Sequence, residues 1–214
     1  MKLTRYLIIL LSMALLPAPL AQAQVPAAEA PIIDFGSRFL PTVAREGMVV
    51  GPEVLRRGGN AVDTAVATGF ALAVSYPRAG NLGGGGFMLV HLAEEDRQTL
   101  IDYRETAPAS ATRYLFLNAQ GEVDRQRAYF SHQSAGVPGT VAGLVLAQKR
   151  YGTLPLAEVM APAIALARDG LEVSFALNQE IAARAERLAT NAEARKLFFD
   201  AEGRVPAIGA RWQQ

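Results

Sequence analysis

The stretch from Asn60 to Tyr76 does most to constrain what this chain can fold into. Ala61, Val62, Ala65, Val66, Gly69, Phe70, Ala73 and Val74 recur there at helical spacing, and most of them are small. A helix so apolar and so narrow packs closely against its neighbours and belongs in an interior. Asn60 stands at its start as a cap, and Asp63, three residues on, gives the pattern of a capping box. Pro77 stops the helix near Tyr76. Ahead of it, Pro52 and Glu53 read as the first turn of a short helix, since proline loses nothing at that position and a carboxylate suits the positive end. Gly58-Gly59 interrupts that helix.

What surrounds the buried helix is mixed. A glycine run, Gly83–Gly86, leads into Phe87–Leu92, and this segment and Thr99–Tyr103 read as strands of a hairpin joined through polar Glu94–Gln98. The chain is then expected to be irregular from Pro108 to Pro138. Helices follow at about Thr140–Tyr151, at Leu156–Asp169 with a break or kink at Pro162, and at Ser174–Leu188. Gly170 is placed to end the second of these. One buried helix, a hairpin and several amphipathic helices predict an α/β layer protein. Hydrophobic residues make up 50% and charged residues 19%, enough for a core, and without cysteine that core has no disulfide staples.

The N-terminus carries a different message. Lys2 and Arg5 form a positive segment, Leu7–Leu16 an uncharged apolar one, and Ala21-Gln22-Ala23 a small-x-small cleavage pattern before Gln24. Ten residues of helix reach only about 15 Å, against roughly 30 Å of hydrocarbon, so a secretory signal at 1–23 fits better than a membrane span. Residues 24–46 then read as a leader and first segment, and 47–214 as the body of the protein. The expected location is periplasmic or extracellular, with no membrane span after cleavage. Losing Lys2 and Arg5 leaves 19 basic residues against 20 acidic ones, close to −1. That balance gives no electrostatic case for nucleic acid. His91 and His132 lie far apart, with no carboxylate at ligand spacing, so no metal is expected.

Three segments could carry chemistry. The glycines of Asn81–Met88 could leave N–H groups open to an anion, but Phe87-Met88 stand where a phosphate loop needs lysine and Ser/Thr; close backbone packing is the simpler reading. Arg104 follows a strand and could hold a carboxylate through two parallel hydrogen bonds, or simply pair with Glu105. Ser131-His132-Gln133-Ser134 invites a nucleophile–base reading, against which a polar loop ending at Pro138-Gly139 is the better account.

Taken together, several segments resemble the γ-glutamyltransferase (glutathione hydrolase) family. They are Gly47-Met48-Val49, Leu55–Asp63, Asn81–Met88, Asp102–Pro108, Gly136–Gly143, Tyr151-Gly152 and Leu166–Gly170. Their order and approximate spacing hold from residue 47 to about 175.

The resemblance implies an N-terminal-nucleophile hydrolase fold, four layers in the order αββα, incomplete here, with residues 47–214 as the truncated N-terminal part of the large subunit. It implies a precursor that cuts itself into two subunits, with a threonine at the new terminus attacking the γ-carbonyl of glutathione or another γ-glutamyl compound. The glutamyl group would pass to water or to an amino-acid or peptide acceptor, without a cofactor. Arg104 matches the family arginine that holds the substrate's α-carboxylate. Two departures are visible: the family usually has a longer stretch between Val50 and Pro52, and nothing up to Gln214 matches the nucleophilic threonine. The nucleophile and the partner small subunit are therefore expected beyond residue 214, and this chain alone is expected to be inactive. Alternatives are a glutaryl-type acylase, a poly-γ-glutamate transpeptidase, or a non-catalytic exported carboxylate-binding protein.

Overall fold

The structure, a computed structural model, describes residues 45–214. The expected signal at 1–23 and the leader up to residue 44 lie outside the described residues. Helix α1 spans Arg45–Arg56 and α2 Ala61–Ser75; the hairpin is β1, Phe87–Leu92, and β2, Arg97–Asp102. Then come α3 at Arg125–Phe130, α4 at Thr140–Tyr151 and α5 at Leu156–Asp169. A short strand β3, Leu171–Glu172, precedes α6 (Phe175–Ala182), α7 (Ala185–Leu188) and α8 (Ala192–Phe198), and β4, Arg211–Trp212, pairs antiparallel with β3.

Helix α2 lies at the centre, as its composition requires. Val62, Val66, Ala67, Phe70 and Ala71 are buried against Val50 and Val54 of α1, Leu144 and Ala147 of α4, and Val159 and Ala163 of α5. The hairpin lies over this helical layer. In its register, Met88 pairs with Ile101 and Val90 with Thr99 on the inner face, where Val90 and Ile101 are buried. Phe87, Leu89 and Leu100 point the other way, on the face shared with His91, Gln98 and Asp102, and are 54%, 66% and 60% exposed, so the outer face carries an apolar cluster in solvent.

The capping box at the start of α2 forms as expected and is part of something larger. Asn60 Oδ1 accepts from the N–H groups of Val62 and Asp63, and Asp63 Oδ2 accepts from Asn60 N at 2.7 Å. Asp63 is fully buried. Its carboxylate also accepts from Gln148 Nε2 of α4 (2.5 Å), from Thr153 N and Oγ1 (3.1 and 2.6 Å) and from Leu154 N (3.1 Å). Burial alone would push this carboxyl up. The hydrogen bonds from Thr153, Gln148 and the Asn60 backbone outweigh that and hold it well below the usual carboxylate range.

Several expectations need correction. Pro52 sits inside α1 rather than at its start, because the helix begins further back and buries Val50 and Val54 one turn apart. Gly51 lets α1 cross α2 closely: a Cβ there would lie 3.0 Å from Thr64 Cγ2. The expected irregular segment contains α3, capped by Asp124 Oδ1 on Arg127 N at 3.0 Å. The helix expected at Ser174–Leu188 divides into α6 and α7 at Ala183-Arg184. Helix α5 runs on through Pro162 and ends at Gly170, whose φ of 78° is the left-handed conformation that glycine tolerates. Unforeseen was the β3–β4 pair, which buries Trp212 beside Leu171, Val173, Leu177 and Ile181 as a second core. The indole Nε1 donates to Leu197 O at 2.7 Å.

Because every polar contact of the Asp63 carboxylate is a donor, Asp63→Asn turns an amide NH₂ against other N–H groups. The expected loss is at least about 3 kcal/mol in chemical unfolding at pH 7. The folded-state pKa lies below the unfolded one near 3.9. The wild-type contribution is therefore complete above about pH 5, roughly a unit over that value, and declines as pH falls further toward the folded-state pKa. Asp63→Asn should flatten this acid limb. A variant within about 0.5 kcal/mol of wild type would refute the assignment.

Candidate functional site

Strand β2 leaves the sheet under tight control. Pairing continues one residue past its end, with Tyr103 N donating to Gly86 O at 3.0 Å and Gly86 N to Tyr103 O at 3.3 Å. Asp102 Oδ1 then accepts from Arg104 N at 3.0 Å and turns the chain outward. Two residues later Thr106 and Val137 exchange hydrogen bonds of 3.3 and 2.8 Å. Arg104 and Glu105 are thus fixed from both sides.

Glycines make that path possible by their lack of bulk. A Cβ on Gly139 would lie 2.0 Å from Tyr103 O, one on Gly143 2.1 Å from Tyr103 Cγ, and one on Gly85 2.6 Å from Glu105 N. None of Gly83–Gly86 has a positive φ; Gly85 and Gly86 serve as space, since a Cβ on either would lie 2.6 or 3.0 Å from the Tyr103–Glu105 segment. Gly139, at the N-terminus of α4, offers no side-chain cap; instead Gly84 O accepts from Gly139 N and Thr140 N at 2.9 and 3.1 Å. Gly84 N and Gly86 N are spent on Asn81 O and Tyr103 O. At Gly85 and Gly86 the run packs backbone closely on backbone and ring, in line with the simpler reading. Burial pushes the Tyr103 phenol up, so it stays neutral inside this clamp.

Arg104 stands at the mouth of a cleft of about 390 Å³, walled by Glu105, Pro108, Leu115, Phe116, Ser134 and Gly136. Its side chain is 67% exposed, and Nε donates to Glu105 Oε2 at 3.0 Å. The ion pair foreseen as the ordinary alternative is therefore present, but an exposed pair of this kind is worth little. Among the described residues the two terminal nitrogens of Arg104 have no partner. Glu105 orients the guanidinium and leaves its outer edge able to take a carboxylate with two parallel bonds.

Ser131 and Ser134 do not form a nucleophile–base pair with His132. Ser131 Oγ donates to Arg127 O at 2.6 Å and Ser134 Oγ to Ser131 O at 2.7 Å, while His132 is exposed. Of this segment, Gln133 and Ser134 line the cleft with Ala135 and Gly136, so the loop before Pro138 lies alongside Arg104. The clamp itself was missed from spacing alone. Its signal was Gly139 and Gly143, four residues apart on one face of a helix, which marks a close approach of another chain.

Gly139→Ala cannot be relieved by a rotamer change, since the clash is with a backbone oxygen. It should cost about 1–3 kcal/mol in chemical unfolding and shift Arg104 out of register with its cleft. A neutral effect on stability would contradict the clamp.

The γ-glutamyltranspeptidase family model matches residues 48–214. The glutathione hydrolase proenzyme of Escherichia coli (strain K12) is 47% identical over 186 residues, which cover 81% of this chain and 32% of that protein. An acylase proenzyme, ACY 1 of Pseudomonas sp. (strain SE83), is 38% identical over 173 residues, covering 74% of this chain and 31% of its own length. The solved structure of Helicobacter pylori γ-glutamyltranspeptidase superposes with a TM-score of 0.76 at 41% identity, covering 79% of this chain and 48% of that one. The chain thus spans about a third of the length of these curated relatives. Its fold is that part of an N-terminal-nucleophile hydrolase. With the match running from residue 48 through the glycine clamp and Arg104, the chain belongs to the γ-glutamyltranspeptidase family.

Proposed function

We propose that this chain is the substrate-gripping part of an exported enzyme that hydrolyses glutathione and transfers γ-glutamyl groups. The observation that carries the reading is Arg104, its backbone fixed beside a cleft, with one nitrogen on Glu105 and its terminal pair without a partner among the described residues. That edge suits the α-carboxylate of a γ-glutamyl group. The nucleophilic threonine, and the groups that hold the α-amino group and the oxyanion, would come from the length of the relatives that this chain does not match. Water, an amino acid or a peptide would then take the glutamyl group.

The apolar cluster on the outer face of the hairpin supports a further part of the reading. Phe87, Leu89 and Leu100 would be covered by the second sheet of the αββα stack, contributed by the small subunit of the same precursor. Export would follow from the signal at 1–23, with the leader at 24–46 and the body at 47–214, and would place the enzyme in the periplasm or outside the cell. No helix among the described residues is long and apolar enough to cross a membrane.

A glutaryl-type acylase shares much of this chemistry. A glutaryl group has the same carbon skeleton as a γ-glutamyl group and lacks only the α-amino group, so Arg104 could hold either. Comparing γ-glutamyl and glutaryl anilides as substrates of the complete precursor separates the two.

In that precursor, Arg104→Ala should raise KM for glutathione roughly thirtyfold, the loss of about 2 kcal/mol of a two-point charged contact. Arg104→Lys should recover only part, because an ammonium group cannot make both bonds. An unchanged KM in Arg104→Ala would sink the reading.

A further inference from the structure

Behind the Arg104 cleft lies a second arginine with an unusual environment. Arg127 of α3 uses Nη2 to donate to Leu115 O and to Leu117 O, the latter at 3.1 Å. Its Nε is buried without a partner, and among the described residues no carboxylate pairs with it. A partly buried guanidinium served only by carbonyls calls for an explanation.

Its contacts supply one. The two carbonyls bracket Phe116, and Leu115 and Phe116 form the apolar wall of the cleft. The Arg127 backbone carbonyl accepts from Ser131 N (3.3 Å) and Ser131 Oγ (2.6 Å), where the loop carrying the facing wall, Gln133–Gly136, begins. The segment is closed by Asp124 N donating to Phe116 O at 2.8 Å, and Asp124 Oδ1 caps the helix on Arg127 N. Both walls therefore hang on one residue, the first through its side chain and the second through its main chain.

We infer that Arg127 is a positioning residue that sets the width of the Arg104 cleft and so its selectivity around the carbon bearing the bound carboxylate. This rests on the γ-glutamyl reading of the cleft. With Leu115 and Phe116 pinned, a substituent larger than hydrogen on that carbon meets an unyielding apolar wall. With Arg127 gone, the turn bearing them keeps only its main-chain tie of Phe116 O to Asp124 N and the Leu117–Val123 bridge, and the wall can retreat.

The test compares γ-glutamyl-p-nitroanilide with its α-methyl analogue as substrates of the complete precursor. Arg127→Met, similar in length and uncharged, should raise KM for the unmethylated substrate roughly tenfold, with kcat changed by less than about twofold. It should also weaken the preference over the methylated substrate by a similar factor. Arg127→Lys, which can serve one carbonyl at a time, should fall between. Phe116→Ala leaves the guanidinium in place and should relax the preference alone, so it carries the test if Arg127→Met does not fold. An unchanged preference in Phe116→Ala, or in a folded Arg127→Met, would overturn the inference. So would a fall in kcat for both substrates in proportion to lost thermal stability. Arg104→Ala distinguishes failure of the underlying reading: it should raise KM for both substrates equally, and if it does not, the carboxylate assignment falls independently of Arg127.

Discussion

A single buried carboxylate organises the described part of the chain. Removing an ion of that size from water costs several kcal/mol, and Asp63 offsets this only because each side of its carboxylate is met by donors. Those donors belong to different elements: Asn60 at the head of α2, Gln148 near the end of α4, and Thr153 and Leu154 in the link to α5. The three helices that form the layer behind the hairpin are tied there at one point. The small side chains of α2 then let its neighbours close around it.

Helix α4 carries this constraint to the site. Its C-terminal end is fixed through Gln148 to Asp63, and its N-terminal end, Gly139–Gly143, presses without side chains onto Tyr103. The glycine run before β1 meets the same residue from the sheet side and caps α4 through Gly84 O. Tyr103 cannot move without displacing helix, strand and glycine run together. Arg104 is the next residue, so its backbone inherits that rigidity while its side chain stays in solvent. The structural cost is borne by the packing, and the two terminal nitrogens of Arg104 have no partner among the described residues.

How much of this could be read from the residues depended on how local each cause was. The capping box at Asn60, the hairpin, helix α4 and the stop at Gly170 are set by neighbours in sequence, and they were legible. The resemblance singled out Arg104, and geometry adds its open edge and its cleft. What spacing could not disclose was non-local. Asp63 reads as a cap, yet three of its four partner residues lie 85 to 91 residues away. The β3–β4 pair is two residues long on each side, too short for an alternating pattern, and exists because Trp212 is buried by α6 and α8. Arg127 stood in a stretch expected to be irregular, where one arginine looks like any solvated charge until its carbonyl partners are seen.

The central claim is that Arg104, held by the glycine clamp, grips a carboxylate at the cleft mouth. A crystal structure of the complete protein with bound glutamate tests it most directly. The account predicts the α-carboxylate lying about 2.8 Å from the terminal nitrogens of Arg104, with the Glu105 bond retained and Tyr103 unmoved. Glutamate bound elsewhere, with Arg104 paired to Glu105 alone, would contradict it.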